Sequence, residues 1–108
     1  MAIKIKAKKH KDIPVLEITG KISSEDAIKI SKRLENMAKK PFQQLVIDLS
    51  SINYLDSHWL GVFVYSWRLF QENNKELIFC IPPGFVLDLF TNSNLDRSFK
   101  IIHSLDSI

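Results

Sequence analysis

Gln44-Leu-Val-Ile-Asp-Leu49 carries apolar residues at successive positions, not alternate ones, so it reads as a strand buried on both faces. A second run of the same kind follows at Glu76-Leu-Ile-Phe-Cys-Ile81. Between them, Ser50 to Leu55 is a short connection and a helix runs from Asp56 or Ser57 to about Asn74. Two doubly buried strands joined through a helix predict parallel neighbours with a right-handed crossover.

Working outward, Ser23 is an N-cap candidate, with Glu25 and Asp26 in the first turn where the helix dipole favours anions. Ala27, Ile30, Leu34, Met37 and Ala38 recur at helical spacing, Lys39 and Lys40 fall in the last turn, and Pro41 stops the helix. Upstream, Ile3 to Lys8 alternates strictly, with Ile3, Ile5 and Ala7 on one face and lysines on the other, as suits a sheet edge. His10 to Ile13 is a polar turn into a short partner strand, Pro14 to Thr19, ended by Gly20. Downstream, Pro82-Pro83-Gly84 opens a short third helix through Phe90, and Phe99 to Ile102 is a last strand. The expected architecture is α/β: one domain over 1–108, with a mixed four- to five-stranded sheet, parallel central strands and three to four helices.

Composition narrows the function. The 108 residues are enough for one core, burying roughly two-thirds of the unfolded surface. The net charge of +3 comes from 15 basic and 12 acidic residues, and Lys4, Lys6, Lys8, Lys9 and Lys11 all precede the first acid, Asp12. The basicity therefore belongs to one edge, and that edge lacks the interleaved aromatics of a nucleic-acid reader. Cys80 has no disulfide partner, and His10, His58 and His103 have no metal-ligand spacing, so no metal or cofactor is expected. The longest apolar run, Trp59 to Tyr65, is far short of the roughly 18–20 residues of a membrane span, and no signal-peptide pattern opens the chain. A cytoplasmic protein is expected.

On a helical wheel, Leu60, Phe63, Val64, Trp67 and Phe70 share an arc of about 120° that belongs against the sheet. Val62, Tyr65 and Leu69 form a second apolar patch nearly opposite, with Trp59 between the two. That patch is either covered by another helix or a chain end, or it is a docking surface. At the entrance to this helix, Ser57 would present its hydroxyl near unpaired backbone N–H groups. A phosphate there would gain from the helix end but add about two negative charges beside Asp56, repelling a partner that had accepted a neutral serine. From spacing alone, Asp56 and Ser57 also read simply as capping residues.

The chain resembles the STAS-domain anti-sigma factor antagonists of bacteria. The resemblance rests on Val15-Leu-Glu-Ile-Thr-Gly-Lys-Ile22, on Val46-Ile-Asp-Leu-Ser-Ser-Ile-Asn-Tyr-Leu-Asp-Ser57 with Leu60-Gly61 following, and on Asn94 to Ile101. It implies that Ser57 is the phosphorylation site of a cognate anti-sigma factor, a serine kinase of the histidine-kinase-like ATPase fold. The unphosphorylated antagonist would bind that kinase, phosphorylation would eject it, and a serine phosphatase would reset it. The partner surface would comprise Asp56, Ser57, His58, Trp59, Val62, Tyr65 and Leu69. His58 and Trp59 stand where the family has small residues, and Ser104 to Ile108 could form only the first turn of its C-terminal helix.

Two other readings compete. The resemblance also allows a STAS docking module without phosphorylation, in a sensory scaffold or a transporter complex, for which His58 and Trp59 would suit a constitutive aromatic anchor. An enzyme is the weaker alternative. Asp56, Ser57 and His58 contain triad residue types, but consecutive residues on a helix end point apart, and Cys80 sits in an apolar strand.

Overall fold

The computed structural model describes residues 3–20 and 22–108. Met1, Ala2 and Lys21, the last of which belongs to the Val15–Ile22 block of the sequence reading, lie outside the described residues. Strand β1 (Lys4–His10) pairs antiparallel with β2 (Ile13–Thr19), His10 opposite Ile13. Lys11 and Asp12 join them with φ of 51° and 67°, the two-residue connection whose twist matches the flanking strands. The rest of the chain alternates helix and strand: α1 (Ser24–Met37), β3 (Gln44–Asp48), α2 (Ser57–Glu72), β4 (Glu76–Cys80), α3 (Phe85–Asn92) and β5 (Lys100–Ile102). The sheet order is β1-β2-β3-β4-β5, with every pairing after the first parallel. This is the mixed five-stranded, three-helix architecture expected from the sequence.

Alternation along the strands divides the core. Leu16, Ile18, Leu45, Ile47, Leu77 and Phe79 face the helix layer and pack with Ile30, Leu34, Phe63, Phe70 and Phe90. Phe79 is the hub, with Phe63 edge-on at 5.2 Å and Phe99 stacked at 4.8 Å. Val15, Val46, Ile78, Cys80 and Ile102 point the other way and are covered by Ile13, Leu105 and Ile108 instead of a helix. The C-terminal 3-10 turn, Leu105–Ser107, thus lies over the second sheet face, capped by Ser104 Oγ accepting from the Asp106 N–H.

Two local expectations change. Lys39 and Lys40 follow α1 instead of filling its last turn, because the chain tightens there: their N–H groups reach back only three residues, to Asn36 and Met37. Ala7, placed with Ile3 and Ile5 by alternation, is exposed, while those two pack against the core.

Candidate functional site

The loop between β3 and α2 is pinned at its start by Asp48, whose Oδ1 accepts from the Ser50 N–H at 3.0 Å and the Ser50 hydroxyl at 2.6 Å. Ile52 and Leu55 are buried, so the loop is nailed to the core at two further points, and Ser51, Asn53 and Tyr54 stay exposed. Asp56 then takes an extended backbone, φ −101° and ψ 175°, and its Oδ1 accepts from the Trp59 N–H at 3.1 Å. That is N-cap geometry, which makes Ser57 the first helical residue. Ser57 and His58 are both exposed. Their N–H groups precede the first intrahelical bond, from Leu60 N–H to the Asp56 carbonyl.

This entrance can do one thing well. A phosphoryl group on Ser57 would find free donors and the positive end of a 16-residue helix, and would press its charge against the Asp56 carboxylate. It does not form a triad. The Asp56 carboxylate is engaged with the Trp59 N–H, and among the described residues no hydrogen bond joins Asp56, Ser57 and His58 to one another.

The structure corrects the placement of Trp59. Expected on the partner surface, it is fully buried, its ring 5.8 Å from Phe63 and its Nε1–H donating to the Ser23 carbonyl at 3.0 Å. The reason is α1, which packs alongside α2 and extends the buried side of α2 to Trp59 and Ser66. An indole sealed in that seam cannot serve as a surface anchor. Of the second arc, Tyr65 is exposed, whereas Val62 and Leu69 are half-buried and pack against the core. His58, Val62 and Tyr65 line a hollow of about 420 Å³ between the helices with Ile28 and Lys32.

Sequence reading missed three exposed large apolar residues: Ile28, Tyr54 and Phe85. Ile28 carried a signal, since it falls outside the apolar period of α1. Tyr54 and Phe85 lie 31 positions apart, one in a loop and one at a helix start, where no periodicity applies.

Cys80 is buried, with Sγ 3.7 Å from Ser50 Oγ; burial, outweighing that hydrogen bond, pushes its thiol pKa up, the opposite of an activated nucleophile. Lys8 is raised by its 2.8 Å hydrogen bond to Glu17. Among the described residues no cluster of three or more His, Cys, Asp or Glu could hold a metal, and no helix is long and apolar enough to cross a membrane.

Comparison with known proteins gives this geometry a context. The anti-sigma-B factor antagonist of Listeria monocytogenes is 32% identical over 101 residues, covering 94% of this chain and 88% of that protein. A putative anti-sigma factor antagonist from Thermotoga maritima superposes with a TM-score of 0.85 at 22% identity, covering 95% and 89% of the two chains. The Bacillus cell fate determinant SpoIIAA in its phosphorylated form shares the fold with a TM-score of 0.72 at 11% identity, covering 96% of each chain. Residues 4–108 match the family model of the STAS domain, and the chain belongs to that family.

Proposed function

We propose that this protein is an anti-sigma factor antagonist that works by partner switching in the cytoplasm. The carrying observation is Ser57, exposed as the first residue of α2 and flanked by the Asp56 cap. The 32% identical antagonist from Listeria supports the same reading. Unphosphorylated, the Ser57 surface docks on a serine kinase that is also the anti-sigma factor. Phosphorylation adds about two negative charges beside Asp56, and like charge against a closed interface costs enough to eject the partner. A serine phosphatase restores the hydroxyl. His58, Val62 and Tyr65, with Ile28, supply contact surface along the α1–α2 seam. The protein itself catalyses nothing, since the Asp56 carboxylate caps a helix and the Cys80 thiol is buried.

The test is binding of Ser57→Ala and Ser57→Asp to the purified serine-kinase anti-sigma factors of the source organism. Retention by Ser57→Ala and loss by Ser57→Asp is expected. Equal binding by both would leave a docking module without a switch.

A further inference from the structure

Resting on the partner-switching reading, we infer that the stacked pair Tyr54–Phe85 is the anchor that holds the anti-sigma factor, distinct from the Ser57 switch. Tyr54 is 60% exposed and Phe85 54%, yet their rings stack 5.7 Å apart at an interplanar angle of 12°. They come from different connections, the β3–α2 loop and the first residue of α3. Their neighbours Leu55 and Val86 are buried, so the backbone beneath both rings is fixed while the rings stay in solvent. Gly84, with φ of 153°, and the fixed φ of Pro82 and Pro83 set the angle at which Phe85 leaves the sheet end.

Aromatic rings already held in place lose little freedom when a partner covers them, which is why such residues carry interface affinity. Each ring of the pair borders a hollow, Phe85 the first and Tyr54 the second. The first, of about 200 Å³, runs past Leu49, Ile52, Pro82 and Val86; the second, of about 480 Å³, runs past Gly20, Ile22 and Tyr54. None of the described residues lining either hollow is charged. The chemistry suited to this surface is an apolar side chain of the partner, of leucine, methionine or aromatic type, seated beside the rings, with neutral hydrogen-bonding groups next to it that meet Ser50, Ser51 and Asn53.

Position identifies the partner. Ser57 lies three positions after Tyr54, a backbone reach of at most about 11 Å. A standard interface covers about 800 Å² on each protein, a disc of roughly 16 Å radius. A kinase footprint centred on the Ser57 hydroxyl covers Tyr54, and Phe85 stacks on that ring. Phosphorylation then acts by adding repulsion at Ser57, beside an apolar anchor that it leaves untouched.

The experiment titrates the source organism's purified serine-kinase anti-sigma factors, with a non-hydrolysable ATP analogue, against wild type, Tyr54→Ala, Phe85→Ala, the double variant and Ser57→Asp. Lys40→Ala, an exposed change at the α1 end of the chain before β3, is the control. Each ring variant is expected to bind about tenfold to a hundredfold more weakly, and the double variant to lose less than the product, because each ring packs on the other. Thermal midpoints should stay within roughly 3 °C of wild type, showing that folding is intact. If both ring variants bind like wild type while Ser57→Asp does not, the anchor is refuted and partner switching stands. If Ser57→Asp binds as tightly as wild type, the partner-switching reading fails and takes the assignment of this anchor with it. A wild-type dimer in sedimentation that Tyr54→Ala dissolves would also overturn the proposal, making the pair a surface for a second copy of the chain.

Discussion

The indole N–H of Trp59 donates to the backbone carbonyl of Ser23 across 3.0 Å, joining the first turn of α2 to the cap of α1. The backbone N–H of the same residue is held by Asp56 at 3.1 Å, and Ser23 Oγ in turn donates to Asp26 at 2.9 Å. One tryptophan thus locks two helix entrances together. Its bulk goes inward and leaves the Ser57 surface open.

Trp59→Ala should destabilise the protein by about 3–5 kcal/mol in urea unfolding, the range for emptying a buried aromatic site. Trp59→Phe keeps most of the volume and removes one of the two donors to the Ser23 carbonyl, which keeps the Asp26 N–H at 3.2 Å, so it should cost about 1 kcal/mol. A Trp59→Phe variant as stable as wild type would show that the Asp26 N–H alone satisfies the Ser23 carbonyl.

Asp56→Ala removes the cap of α2 and should cost about 1 kcal/mol, while Asp56→Asn, which can still accept from the Trp59 N–H, should cost less. Both are read from denaturant midpoints at constant slope. Equal loss in the two variants would mean that charge, not capping, is what Asp56 contributes.

Ser66 sits in the buried seam of α2, and among the described residues its hydroxyl has no hydrogen-bond partner. Ser66→Ala removes a desolvated polar group and restores helix propensity, so stability should hold or rise by about 1 kcal/mol. A loss of about 1 kcal/mol or more would reveal a partner for that hydroxyl.

Burial raises the Cys80 pKa above the ordinary 9.0, so the folded state holds this proton more tightly than the unfolded chain. The resulting stability is complete below the unfolded value and is lost as pH climbs from about 9 through the folded value. At pH 8 the native thiol should resist Ellman's reagent and the urea-unfolded thiol should react at once. Rapid stoichiometric labelling of the native protein would contradict the burial.

The legibility of these features followed the reach of each signal. The unbroken apolar runs of β3 and β4 need no partner to be recognised, and the Ser23 cap marks the start of α1, whereas Pro41 marks its end about three residues late because the chain tightens after Met37. Ser57 was legible because a strand, a short loop and a helix start fix its place locally. Trp59 was not, because a wheel gives the angle of a side chain but not the position of the neighbouring helix, and α1 decides whether that angle is inside or out. The Tyr54–Phe85 pair was invisible for a related reason: its two rings meet only after β3 and β4 lie side by side.

The most direct measurement is calorimetric titration of the source organism's serine-kinase anti-sigma factor with the wild-type protein, prepared once with a free Ser57 hydroxyl and once with Ser57 stoichiometrically phosphorylated. Partner switching predicts a complex with the first form and an affinity at least about a hundredfold weaker with the second, equivalent to about 2.7 kcal/mol. Equal affinities for the two forms would contradict it.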